Sequence, residues 1–343
     1  MTNTSSAERA DARHDRQSAD DGSGLVLADL RVTYGAGATA LRAVDGVDLS
    51  VPRGSTLALV GESGCGKSTI AKAIVGLAPS VGGQILLGGM DVTTERGRSA
   101  AHFRRRVQMI FQDPYSSLNP RMTVAATLDE ALALHTGLNR VDRRARAAEL
   151  LDLVAMSGTG ADKYPAEFSG GQRQRIAIAR ALATDPEVVI ADEITSALDV
   201  SVQASILNLM REIQARTGVA VLLITHNLAV ARYFSHRTAV MYLGRIVENG
   251  DESLYTAPRH PYTRALLDAS PSLAAHREDR VPLAGDLPDP HDPPSGCRFR
   301  SRCPVGPLTH QDRTVCIDRE PPVVDPAGLA VACHFPPEQP AGR

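Results

Sequence analysis

The sequence predicts an α/β fold with a mostly parallel sheet, and three observations carry that expectation. From Leu25 onward, short apolar runs bounded by Gly, Pro and Asp give way to runs that alternate with helix-like segments. A glycine-rich loop ending in Lys-Ser-Thr lies between one strand-like run and one helix-like run. Between Thr123 and Met156 strand signals stop and Ala, Leu and Arg dominate, which reads as a helical insertion in the α/β frame.

In chain order, Met1 to Gly24 is rich in Asp, Arg, Ser and Ala and lacks the apolar centre of a secretory signal; it reads as a disordered cytoplasmic tail. Leu25–Tyr34, Val44–Val51 and Thr56–Val60 follow as strands, and Ile70–Leu77 as a helix. Strand signals return at Glu187–Ala191 and Val219–Thr225, short apolar runs that suit strands buried on both faces. After about Arg259, Pro becomes frequent, as in Asp289–Pro294 and Glu320–Pro326. Apart from a short helix near Tyr262–Ala269, that marks an extension of loops.

Composition bounds the function. With 343 residues, 43% of them hydrophobic, the chain can bury a large core, as two domains or as one with an extension. Its 37 basic and 39 acidic side chains leave a net charge of −2, against a nucleic-acid binder that works through bulk positive charge. No apolar run approaches the roughly 18–20 residues that cross a bilayer, so a membrane role must come through partners. Of five cysteines, Cys65 stands alone while Cys297, Cys303, Cys316 and Cys333 gather near the end, which suggests a local site and not scattered disulfides.

Gly61-Glu62-Ser63-Gly64-Cys65-Gly66-Lys67-Ser68-Thr69 fits the phosphate-loop pattern G-x-x-x-x-G-K-S/T, after the strand Leu57–Val60 and before a helix. Glycines let the backbone wrap phosphate oxygens, Lys67 reaches the β- and γ-phosphates and Ser68 can ligate Mg²⁺; Cys65 fills a variable position. Lysine is scarce, present only as Lys67, Lys72 and Lys163, and one of the three stands where the loop requires it. The strand Val188–Ala191 ends in Asp192-Glu193: Asp192 would hold Mg²⁺, and Glu193 would polarise the attacking water as a general base.

Between these two motifs, Phe168-Ser169-Gly170-Gly171-Gln172 and the run Arg173–Ala181 closely resemble the signature of ATP-binding-cassette ATPases. Gln112, Ser196-Ala197-Leu198-Asp199 and His226 fall in the family's order, and the resemblance spans about Leu25 to Gly250. It implies an antiparallel β subdomain, a helical signature subdomain over about 115–183, and a nucleotide domain over 25–258. It also implies ATP bound between one subunit's phosphate loop and the other's signature. Ser169, Gly170, Gly171 and Gln172 would then start the helix that meets the γ-phosphate.

The same resemblance makes His226 the switch histidine beside Glu193, and Gln112 the glutamine that reaches Mg²⁺ or the water. Asp199 would belong to the loop joining the two sites, or would cap the helix that starts near Ser201. Tyr34 stands where the family stacks an aromatic on adenine; the other reading is a strand-end tyrosine packed on the core. Ile194 occupies a position where relatives carry Pro, which removes a rigid turn but no chemical group, so hydrolysis is expected to survive.

Ile110–Arg121, Met241–Glu248 and Pro258–Thr263 are similar to oligopeptide/dipeptide permease ATPases of the F type. That likeness implies peripheral attachment at the cytoplasmic face of the membrane and a related second ATPase in a heterodimer. Two transmembrane permease subunits and an extracytoplasmic solute-binding protein complete the implied assembly, with no nucleic-acid partner. Tyr115–Arg121 would line the groove for a coupling helix. Nickel or a glycoside as cargo, or a soluble cassette protein acting on nucleic acid or ribosomes, are the competing functions.

The span 259–343 resembles the C-terminal extension of these ATPases, some of which hold a 4Fe–4S cluster. Four thiolates from Cys297, Cys303, Cys316 and Cys333 also suit Zn²⁺, and a metal-free extension is the third reading.

Overall fold

The computed structural model describes residues 23–37, 40–78, 81–93, 98–156, 160–196, 198–270, 285–324 and 329–337. The expected tail therefore lies outside the described residues except for Ser23 and Gly24, as do Ala197 and 325–328 of the proline-rich stretch.

The chain opens with strands β1 (Ser23–Tyr34), β2 (Leu41–Pro52) and β3 (Thr56–Val60), then helix α1 (Lys67–Ile74) and strands β4 (Val81–Leu87) and β5 (Met90–Asp91). Helix α2 (Arg98–Arg106) leads into β6 (Val107–Ile110). Four helices follow: α3 (Pro114–Ser117), α4 (Val124–His135), α5 (Arg140–Leu153) and α6 (Gly170–Leu182). Next come β7 (Val188–Asp192), α7 (Val200–Thr217), β8 (Ala220–Thr225), α8 (Leu228–Phe234), β9 (Arg237–Tyr242) and β10 (Arg245–Gly250). The remainder holds α9 (Ser253–Thr256), α10 (Pro261–Ala269), α11 (Val315–Asp318), β11 (Val323–Val324) and β12 (Ala330–Ala332).

Two sheets form among the described residues. The smaller has the order β2-β1-β4-β5 and is antiparallel throughout. The larger has the order β11-β12-β10-β9-β3-β8-β7-β6; β9, β3, β8, β7 and β6 are parallel, and the other three join one edge antiparallel. The extension, expected as loops and one helix, thus adds β11 and β12 to the main sheet; strands of two and three residues are too short to show a period of two in sequence.

The near-continuous apolar runs of β3, β7 and β8 are explained by cores on both faces of the sheet. Ala58, Val60, Val189, Ala191, Val221 and Leu223 face a core built with α4 to α7, while Leu57, Leu59, Val188, Ile190, Leu222 and Ile224 face the antiparallel sheet and α1. In the insertion, Thr123 and Asn139 cap α4 and α5 by accepting backbone N–H groups with their side chains.

Candidate active site

The loop between β3 and α1 lies at the carboxyl edge of the parallel strands, where open α/β sheets bind ligands. Gly61 and Gly66 hold φ of 156° and 111°, and a β-carbon there would lie 2.2 Å from the Met241 carbonyl oxygen or 2.3 Å from that of Ala43. Only glycine lets the loop pass between those backbones. Gly64 takes φ of 80°, and Thr69 N–H returns to the Gly66 carbonyl at 3.1 Å.

Lys67 is buried and folds back over the loop, its Nζ donating to the carbonyls of Gly61 and Glu62, both at 2.8 Å. Cys65 is buried at 3.6 Å from that Nζ, and burial pushes its thiol up, against Lys67. Ser68 Oγ donates to Asp192 Oδ1 at 3.5 Å, tying the loop to the end of β7. Burial raises the proton affinity of the Asp192 carboxyl, and the charge of Glu193 adds to it. A hydroxyl and a buried carboxylate make a hard oxygen pair that fits Mg²⁺ beside phosphates.

Glu193 directly follows β7 with φ of 47°, a left-handed conformation rare for a residue with a side chain, fixed by its N–H to the Ile224 carbonyl at 2.9 Å. Ile194 beneath it is buried in the core, so apolar packing, not a proline ring, anchors this turn. Gln112 Nε2 donates to Glu193 Oε2 at 2.6 Å, and His226 Nδ1 pairs with Oε1 at 2.9 Å. Residues 81 and 33 positions apart thus converge on one carboxylate. Held by an amide and an imidazole, it can orient a water and take its proton.

Ser169 caps α6: its Oγ accepts from Gln172 N–H at 3.3 Å while Gln172 Oε1 accepts from Ser169 N–H at 2.9 Å. A β-carbon on Gly171 would meet Val202 at 2.6 Å, so the glycine is what lets α6 cross α7 closely. Among the described residues no hydrogen bond joins Ser169, Gly170 or Gly171 to the phosphate loop. Asp199 caps α7, accepting from Val202 N–H at 2.9 Å, and Ser201 Oγ donates to it at 2.6 Å. Tyr34 is half-buried and packs on the apolar core of the antiparallel sheet.

Cys297, Cys303, Cys316 and Cys333 line one cleft with Phe299 and His334. Burial pushes the Cys297 thiol up to about 12 and that of Cys303 up to about 11, and raises Cys316 and Cys333 as well. Among the described residues no three His, Cys, Asp or Glu side chains are gathered closely enough to hold a single ion. The cleft as it stands does not offer the tetrahedral grip a lone Zn²⁺ requires. Nothing local in the sequence pointed to a second set of residues around the loop: Tyr262 and Arg302 both bond Glu62.

A phosphate loop, an acidic strand end and a glutamine and histidine on its second carboxylate define a P-loop ATPase. A family described as ABC transporter matches residues 44–196, and one described as oligopeptide/dipeptide transporter, C-terminal region, matches residues 247–306. A protein of Sinorhizobium fredii named "Probable peptide ABC transporter ATP-binding protein" is 50% identical over 297 residues, 86% of this chain and 82% of its own length. The dipeptide transport ATP-binding protein DppF of Escherichia coli is 44% identical over 297 residues, covering 85% of this chain and 86% of that one.

Among solved structures, the ATP-binding cassette MJ0796, a dimer in a post-hydrolysis state with ADP and Pi, superposes with a TM-score of 0.60 at 28% identity, over 66% of this chain and 98% of that one. The chain belongs to the ATP-binding subunits of ABC transporters and is an ATPase. No helix among the described residues is long and apolar enough to cross a membrane.

Proposed function

We propose that this ATPase energises import of di- or oligopeptides as a peripheral subunit on the cytoplasmic face of the membrane. The observation that carries the reading is the oligopeptide/dipeptide transporter region over 247–306, alongside relatives named for peptide and dipeptide transport. Two permease subunits, a solute-binding protein and a second, related ATPase complete the assembly. Purifying the intact assembly and identifying the ligand of its solute-binding protein by mass spectrometry tests the cargo. Peptides are expected; nickel or a glycoside in their place would overturn the reading.

In this reading Lys67 leaves the Gly61 and Glu62 carbonyls for the β- and γ-phosphates, and the glycines of the loop turn their amides toward the same oxygens. Ser68 and Asp192 would hold Mg²⁺, with Gln112 reaching it or the water, and the chemistry supplied there would be neutralisation of phosphate charge. Glu193 takes the proton of the attacking water, and His226 orients Glu193 and contacts the γ-phosphate. Tyr34 stacks on adenine. Ser169, Gly170, Gly171 and Gln172 serve the nucleotide of the neighbouring subunit, whose own signature completes this one, and Asp199 lies in the loop between the sites.

Glu193→Gln keeps the shape and removes the base, so ATP hydrolysis is expected to fall about 100- to 1,000-fold with ATP binding retained. A variant that hydrolyses ATP as fast as the parent would sink this assignment.

Cys297, Cys303, Cys316 and Cys333 are assigned to a 4Fe–4S cluster, which when bound would cross-link the extension. Supporting this is the one cleft that all four cysteines line together. Anaerobic purification should yield about four irons and four sulfides per chain, and loss of both in Cys303→Ser. Colourless, iron-free protein from the anaerobic preparation would refute the cluster.

A further inference from the structure

Glu62, the second residue of the phosphate loop, has all of its polar groups engaged. Its N–H donates to Tyr262 Oη at 2.9 Å, and its carbonyl accepts from Lys67 Nζ at 2.8 Å. Its carboxylate accepts two bonds from Arg302, Nη1 to Oε2 at 2.7 Å and Nη2 to Oε1 at 3.1 Å. Tyr262 lies 200 residues away and Arg302 lies 240 residues away, both in the C-terminal part of the chain.

The clamp rests on a packed base. Tyr262 is fully buried, 4.7 Å from the ring of Tyr242 and 5.4 Å from that of Phe299. The Arg302 side chain is only 5% exposed, its guanidinium 5.9 Å from the centre of the Tyr242 ring. A buried, two-pronged guanidinium–carboxylate pair fixes direction as well as distance, and this one cannot exchange its partner for water without moving.

We propose that Arg302 is a positioning residue of the nucleotide site: by holding Glu62 it keeps the phosphate loop in the shape that receives ATP. Lys67 is at present shared between two loop carbonyls, and it must give them up, in whole or part, to meet phosphate oxygens. Once it does, Glu62 keeps a long bond from the loop's own Cys65 N–H to its carbonyl at 3.4 Å, and its other holds, Tyr262 and Arg302, come from outside the loop. Arg302 touches no phosphate in this scheme. It lowers the cost of ordering the loop, and so it acts on nucleotide affinity more than on the chemical step.

A pair that merely docked the extension would alter stability and leave the kinetics alone, which is how the two roles separate. The test uses the full-length chain at a temperature where melting curves show each variant folded, with Kd for ATP measured beside KM and kcat. Arg302→Met is expected to raise Kd and KM for ATP about five- to twentyfold with kcat within about twofold of the parent. Arg302→Lys, which keeps the charge but not the fork, should recover part of the loss.

Glu62→Gln, at a partly exposed site, breaks the same clamp from the loop side and keeps the question open to test if Arg302→Met does not fold. The double variant should bind ATP no worse than the weaker single variant. An unchanged KM in Glu62→Gln, or losses that multiply in the double variant, would overturn the proposal.

Discussion

The parallel strands of the main sheet and the span from Gly285 onward are ordered by different means. In β3, β7 and β8 every residue is buried, and apolar side chains on both faces supply the stability. Among the described residues from Gly285 onward, only Phe299, Arg302, Gly306, Cys316 and Val331 are buried. That set contains one large apolar side chain, too little for a core of its own. This span is instead fastened to what precedes it: Phe299 against Tyr242 of β9 and Tyr262 of α10, Arg298 to Asp45, Arg302 to Glu62, and β12 along β10. A region that borrows its order in this way also restrains what it is fastened to, and here that includes the phosphate loop.

The sharpest way to break this comparison is Phe299→Ala. Phe299 is 1% exposed and its ring lies 5.3 Å from Tyr242 and 5.4 Å from Tyr262. Deleting it should cost about 3–5 kcal/mol, the usual range for a fully buried aromatic. Limited proteolysis should then cut within 285–337 before it cuts the cassette, since the strands of the latter keep their own cores. Urea unfolding with an unshifted midpoint, or cleavage spread evenly over the chain, would mean that the extension stands on its own.

The contrast also explains what was legible in the sequence. The phosphate loop, the Asp192-Glu193 pair and the signature are contiguous patterns, so each could be read residue by residue. The convergence of Gln112 and His226 on Glu193 followed only from their order relative to those motifs, because nothing local ties residues 81 and 33 positions apart. The helix after the loop begins at Lys67, ahead of the expected Ile70, because Lys-Ser-Thr carries no apolar period although the loop geometry starts the helix there.

The bond from Arg302 to Glu62 left no trace: one arginine among many, its partner 240 residues away, at a spacing that no periodicity encodes. The cysteines fall between these extremes. Their crowding near the chain end signalled a local site, while the lining of one cleft emerged only from the fold.

A finer probe of the seam is Asp45 on β2, where cassette and extension share one carboxylate. Asp45 is 3% exposed and accepts from Arg31 and Arg245, each at 2.9 Å, and from Arg298. Burial alone would raise its proton affinity, but Arg245, Arg298 and Arg31 outweigh burial and hold the carboxyl below its ordinary value of 3.8. The folded state thus binds this proton more weakly than the unfolded chain. The stabilisation is complete above 3.8 and is lost as pH falls through the lower, folded value.

Asp45→Asn, which leaves three guanidiniums facing an amide, should cost about 2–3 kcal/mol near neutral pH; the half-exposure of Arg31 keeps the figure at the scale of hydrogen bonds to a charged group. Measured by denaturant unfolding, the gap between parent and variant should stay level from about pH 8 to about pH 5 and narrow below 3.8, where the unfolded parent takes up a proton on this carboxylate that the folded parent still refuses. A gap that persists undiminished in acid would show that the carboxylate's charge contributes nothing at this seam, and that shape alone joins the two regions there.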